Sequence, residues 1–98
     1  MNKQAQVELL SDREIDELMP SVPDWTRGDD VISREFRFEN IRESMAFAEK
    51  VVDLAEEQAH HPDIYISINY VTLVLSTHKV GGLTQKDFQL AQAIDRLI

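Results

Sequence analysis

The 98-residue chain contains no cysteine and only ten Lys and Arg residues against eighteen Asp and Glu residues. Without cysteine, a disulfide framework and thiolate chemistry are both excluded. The formal net charge of −8 opposes non-specific attraction to phosphate backbones and to anionic lipid. We therefore expect no direct binding to nucleic acid and no attachment to a membrane surface.

Long apolar runs are also missing. No stretch approaches the roughly 18 apolar residues of a membrane span, and the first residues, MNKQAQVELLSDRE, lack the apolar core of a secretory signal. A cytoplasmic protein is the simplest expectation. Hydrophobic residues nevertheless make up 43% of the chain, which is enough for a packed core. The length is that of one small domain, so we predict a single domain over residues 1–98, with the first six residues as a loose tail.

Three segments have the pattern of helices. Ser11 with Glu14 forms a capping-box pattern that predicts a helix at about residues 11–19, which the following prolines end. Asn40 is predicted to cap a second helix, which must stop near His60 because Pro62 disfavours helical backbone just before it.

The third predicted helix follows Gly81-Gly82. Its cap is Thr84, with Asp87 three residues later. The apolar residues Phe88, Ala91 and Ile94 then recur at helical spacing.

Two segments alternate apolar and polar residues as strands do. The runs at 25–27 and 31–38 flank a Gly-Asp-Asp turn, and the runs at 64–68 and 71–75 flank a turn predicted at Asn69-Tyr70. The predicted order is α-β-β-α-β-β-α. An α+β fold follows, with a four-stranded antiparallel sheet and three helices packed on one of its faces. Such a sheet keeps free edges, so pairing between chains into an oligomer is expected.

Two of the three histidines, His60 and His61, are adjacent at the predicted end of the second helix. One interpretation is purely structural. Cations are favoured at a helix C-terminus, and Glu56 and Glu57 lie four residues before His60 and His61 respectively. Under this interpretation the pair would have no further function.

His78 favours a site instead. It follows the fourth strand, and pairing about the Asn69-Tyr70 turn would bring Asp63 close to Thr77. The three histidines would then be neighbours. A metal site is the weaker hypothesis, because adjacent histidines diverge and no HExxH or HxH spacing is present. Histidine acid-base chemistry is the stronger one, since imidazole titrates near neutrality and no nucleophile motif occurs.

The spacing of these residues resembles the signature of the pterin-4a-carbinolamine dehydratase family. The matching residues are Glu56, His60, His61 and Pro62, then Ser76, Thr77 and His78, the last of them sixteen residues after the proline, then Gly81, Gly82, Leu83, Thr84 and Asp87. A weaker resemblance covers nearly the whole chain, including Trp25, the strand at 34–38 and the segment at 91–95.

The resemblance implies a cofactor-recycling enzyme. Aromatic amino-acid hydroxylases leave their tetrahydropterin hydroxylated at C4a, and this family removes water from that carbinolamine to give quinonoid dihydropterin. The hydroxyl oxygen must gain a proton while the neighbouring ring nitrogen loses one, so a general acid and a general base suffice. Neither a metal nor a redox cofactor is implied.

By the same resemblance, His60 and His78 would be the acid-base pair and His61 would bind and orient the pterin. Glu56 would hold His60 by a hydrogen bond, or would form only an ordinary helical pair with it. Asp87 matches the family's acid, but it could equally cap the last helix. Trp25 could line the pocket, although a tryptophan in a small hairpin is more often part of the core.

One position departs from the family pattern. Ile68 stands where an aromatic residue is usual, which could weaken stacking on the pterin or only alter the hairpin. The family also implies homodimers or homotetramers. Two alternatives stay open: a dimerisation or binding module, as animal members serve a transcription factor, and an enzyme acting on another pterin, for example in molybdenum-cofactor metabolism.

Overall fold

The computed structural model describes residues 7–98, so the tail predicted for the first six residues lies outside the described residues. The first helix, α1, spans Asp12–Leu18, and a short 3-10 turn follows it at Met19–Ser21. Ser11 Oγ accepts the backbone N–H of Glu14, and Glu14 Oε1 accepts the backbone N–H of Ser11, as the capping-box pattern predicted.

The other two helices also begin at their predicted caps. Helix α2 spans Ile41–Gln58 and is capped by Asn40. Helix α3 spans Gln85–Asp95 and is capped by Thr84, with Asp87 completing a second capping box. No helix in residues 7–98 combines the length and the apolar character that crossing a membrane requires.

Four strands form one antiparallel sheet. They are β1 at Thr26–Arg27, β2 at Ile32–Arg37, β3 at Asp63–Ile66 and β4 at Tyr70–Leu75, in the spatial order β1-β2-β4-β3. Every pairing is antiparallel. The predicted α+β class, the element order and the packing of the helices on one face are confirmed.

The second hairpin turns earlier than predicted. Ser67 donates its backbone N–H to the carbonyl of Tyr70 at 2.8 Å, so the turn is centred on Ile68 and Asn69 rather than on Asn69-Tyr70. Asp63 therefore lies opposite Val74, not near Thr77. Moving the register by two residues keeps every side chain on its face of the sheet, which is why alternation alone did not distinguish the two arrangements.

The core lies between the helices and the inward face of the sheet. Its fully buried members come from every layer and include Val22, Ile32, Val51, Val71, Leu73, Leu75, Phe88, Leu90 and Ile94. Trp25 is also buried, and its ring packs edge-on against Phe36 at 6.2 Å between centroids. Of the two roles considered for Trp25, the structure supports the core one.

Candidate functional site

The site begins where α2 ends. Ala59 has left-handed backbone, with φ of 53°, and its N–H bonds to the carbonyls of Ala55 and Glu56. A residue with a Cβ pays roughly 1–2 kcal/mol for this conformation, which glycine avoids. The reversal ends the helix one residue before His60 and turns the two histidines in different directions.

His60 turns inward and is buried beside α3. Its Nε2 lies 2.6 Å from Oδ1 of Asp87, which is completely shielded from solvent. His61 turns outward, and its Nε2 lies 2.7 Å from Oε2 of Glu56. The expected hydrogen bond between Glu56 and His60 is therefore wrong: because Ala59 breaks the helical path, Glu56 meets the histidine five residues on instead of four.

Asp87 caps helix α3 and also contacts His60. Its Oδ2 accepts the backbone N–H of Thr84 at 2.9 Å, which closes the capping box of α3. The same oxygen accepts the hydroxyl of Thr77 at 2.8 Å, while Oδ1 faces His60. The residue that completes the cap of α3 thus also places its carboxylate in contact with His60.

His78 reaches the same place from the segment between β4 and α3. Thr77 forms an isolated antiparallel bridge with Gly82, and the residues between them make a tight turn in which Gly81 has φ of 75°. A side chain is strained at that φ, so glycine suits the position. His78 is exposed on this turn.

One cavity of about 260 Å³ joins these segments. It is lined by Val7, Ala59, His60, His61, Ser76, Thr77, His78, Lys79 and Lys86. The volume is slightly below the roughly 300 Å³ at which typical ligand pockets start, so a small ligand suits it. All three histidines line this cavity, although the hairpin register that led to this expectation was wrong.

The other predicted site residues lie outside the lining. Glu56 and Asp87 contact the cavity only through His61 and His60. Ile68 is 70% exposed in the β3–β4 turn and is not among the described residues that line the cavity. Within residues 7–98, no group of three or more His, Asp or Glu side chains is arranged to hold a metal ion.

Sequence analysis missed Thr77 as a polar partner and the two lysines of the lining. The residues next to Thr77 in the sequence do not indicate its role, because that role depends on how Thr77 packs against α3. Lys79 adjoins His78, and Lys86 adjoins Asp87, so both could have been found only by placing their neighbours first.

Comparisons with known proteins identify the family of this chain. The family model described as pterin 4 alpha carbinolamine dehydratase matches residues 8–97. A protein of Picosynechococcus sp. is 49% identical over 90% of this chain and 96% of its own length. One of Thermomicrobium roseum is 46% identical over 90% and 95%. Both carry the provisional name pterin-4-alpha-carbinolamine dehydratase.

Two solved structures share the fold. A transcriptional coactivator/pterin dehydratase from Brucella melitensis has a TM-score of 0.86 and 26% identity, covering 92% of this chain and 98% of that one. A pterin dehydratase-like protein identified as a RuBisCO assembly factor in the alpha-carboxysome has a TM-score of 0.63 and 25% identity, covering 76% and 88%. A family match over almost the whole chain, close relatives and a shared fold lead to one conclusion: this chain belongs to the pterin 4 alpha carbinolamine dehydratase family.

Proposed function

We propose that the protein is a 4a-hydroxytetrahydropterin dehydratase that works by histidine acid-base catalysis. The observation that carries the proposal is the cavity lined by His60, His61 and His78, one of which is held by the fully buried Asp87. Family membership supplies the substrate class. The cysteine-free composition keeps the cytoplasm as the expected location.

The reaction requires two proton transfers on one bound pterin. The hydroxyl at C4a leaves as water once its oxygen has gained a proton, and the adjacent ring nitrogen gives up its proton as the new double bond forms. His60 and His78 come from separate segments of the chain, which suits an acid and a base acting on the same ligand. We assign them as this pair, and we assign His61, steadied by Glu56, to orienting the ring.

The test is a coupled assay in which an aromatic amino-acid hydroxylase generates the 4a-carbinolamine. Because this intermediate also dehydrates unaided, each rate is measured against that background. We expect the wild type to accelerate dehydration, and His60→Ala and His78→Ala to lose about 100-fold or more of the enzymatic rate. The profile of kcat/KM against pH should be bell-shaped, and EDTA should leave the rate unchanged.

A wild-type protein that is folded and saturating but leaves the background rate unchanged would contradict the proposal. A rate abolished by EDTA and restored by zinc would replace acid-base catalysis with metal catalysis. His78→Ala is the cleaner variant of the two, because His78 is exposed and its loss leaves no buried partner without a hydrogen bond.

A binding function is the second candidate. The two solved structures are those of a transcriptional coactivator/pterin dehydratase and of a RuBisCO assembly factor. On this chain such a function would use the outer edge of β3 and the exposed side of α2, where Ile66 and Val52 are exposed. A triple histidine-to-alanine protein separates the candidates, because it would lose dehydration while keeping a partner bound to this surface.

The same surface supports a proposal of self-association into a homodimer or homotetramer. Among residues 7–98, strand β3 pairs with β4 alone and leaves its other edge open, and Tyr65 is 59% exposed beside that edge. An open apolar strand edge is a template for a second copy of the same strand. Sedimentation of Tyr65→Lys should show a smaller species than the wild type, whereas Glu35→Lys, on the central strand β2, should not.

A further inference from the structure

A chain of hydrogen bonds leads from the start of α3 to His60. Thr84 Oγ1 and Thr77 Oγ1 are 2.8 Å apart, and Thr77 Oγ1 lies 2.8 Å from Asp87 Oδ2. Asp87 Oδ1 lies 2.6 Å from His60 Nε2. Thr77, Thr84 and Asp87 are all buried, so no solvent competes for these bonds.

Counting hydrogens fixes the direction of the chain. A threonine hydroxyl has one hydrogen to donate. Thr77 gives its hydrogen to Asp87 Oδ2, so the hydrogen between the two hydroxyls must come from Thr84. Thr84 Oγ1 also accepts the backbone N–H of Lys86, at 3.2 Å.

The contacts of the Asp87 carboxylate bear on which atom carries the hydrogen in its bond to His60. Its Oδ2 already accepts two hydrogens, from the Thr77 hydroxyl and from the backbone of Thr84. Among the described residues, His60 is the one partner of its Oδ1. An ionised carboxylate has no hydrogen to donate, so with Asp87 ionised the hydrogen in this bond belongs to Nε2 of the imidazole.

The other ring nitrogen of His60 is then the free one. In residues 7–98 no hydrogen bond reaches Nδ1, yet no buried side-chain nitrogen or oxygen in that range lacks a partner. Nδ1 is therefore not fully buried, and His60 lines the cavity. We propose that Thr77 and Thr84 are positioning residues, which hold Asp87 as an acceptor and fix His60 with its hydrogen on Nε2, so that Nδ1 is presented to the ligand.

The effect on catalysis rests on the proposed function. The position of the hydrogen on His60 does not depend on it. Removing the Thr77 hydroxyl takes away one of the two donors that hold Oδ2 of Asp87, so the carboxylate is no longer fixed against His60. Without a fixed acceptor at Nε2, the hydrogen of the imidazole would be free to occupy Nδ1. The base facing the cavity would be lost without any change at His60 itself.

Nitrogen-15 NMR of histidine-labelled protein measures the tautomer directly, and the His60 signals are assigned by their loss in His60→Gln. We expect the wild type and Thr77→Ser to carry the hydrogen on Nε2. Thr77→Val should move it toward Nδ1 and lower kcat about 10- to 100-fold, with KM little changed. Thr72→Val, on the outward face of β4, is the matched control and should leave tautomer and rate unchanged.

A wild-type His60 with its hydrogen on Nδ1 overturns the inference, even if Thr77→Val does not fold. So does a folded Thr77→Val protein with the wild-type tautomer and rate. If the tautomer responds as expected while the wild type shows no dehydration above background, the positioning role stands and the proposed function fails.

Discussion

Helix α3 carries an acid near each end, and the two acids have different surroundings. At its start, Asp87 is fully buried and contacts His60, Thr77 and the backbone of Thr84. At its end, Asp95 is partly exposed, and its Oδ1 accepts hydrogen bonds from Trp25 at 2.8 Å and Arg34 at 2.7 Å. Both acids tie the helix to other parts of the fold.

The difference lies in what each partner can do. An indole N–H only donates, and a guanidinium keeps its charge at any ordinary pH, so the cluster around Asp95 cannot exchange a proton with a ligand. Imidazole can, and His60 lines a cavity. A buried acid with several hydrogen bonds is therefore not by itself evidence of a functional site. A buried acid whose partner can titrate and also lines a cavity is such evidence.

The largest difference in activity between the two ends of α3 is expected when Asp87→Asn is compared with Asp95→Asn. The first replaces one of the two accepting oxygens by an NH2 group that can only donate, which disrupts the bonds that orient His60, and we expect kcat to fall about 100-fold. The second should leave kcat within about twofold while lowering the free energy of unfolding by about 1–3 kcal/mol, through weakened bonds to a charged group. Steady-state kinetics and denaturant unfolding of both variants are the measurements. Equal losses of activity would break the distinction.

A smaller effect is expected at the exposed histidine. Glu56→Gln weakens the hold on His61, which we assign to orienting the pterin, so KM should rise a few-fold while kcat changes little. Glu57→Gln is the control, because Glu57 is its exposed neighbour on α2. A fall in kcat equal to that of Asp87→Asn would show that His61 takes part in proton transfer.

The smallest effect concerns the helix end that separates the two histidines. Glycine avoids the strain of left-handed backbone at position 59, so Ala59→Gly should raise the free energy of unfolding by about 0.5–1 kcal/mol. Thermal unfolding monitored by circular dichroism checks this. Activity should stay near that of the wild type; a lower thermal midpoint would mean that Ala59 packs more favourably than its backbone suggests.

The sequence predicts the local elements of this fold well. Capping at Ser11, Asn40 and Thr84 depends on residues within one turn of each other, and all three helices begin at these caps. The hairpin register was missed by two residues, because such a shift leaves the same side chains facing the core.

The site was predictable only where chain spacing carries the information. The three histidines follow from a family pattern, and they do line one cavity. The partners of His60 and His61 were not predictable, because the left-handed backbone at Ala59 reassigns Glu56 from one histidine to the other. The bond from Thr77 to Asp87 depends on how the turn after β4 packs against α3, and nothing local to Thr77 indicates it.

The most direct test of the central claim is to locate the pterin by NMR. Amide shifts are followed while 7,8-dihydrobiopterin, a stable pterin close to the product, is titrated into the labelled protein. The account predicts that the largest changes fall at residues 59–61, 76–79 and 86, around the histidines. A second cavity, of about 270 Å³, lies between Phe38, Phe47 and Leu97. Changes centred on that cavity instead would contradict the account. So would the absence of any change at saturating pterin.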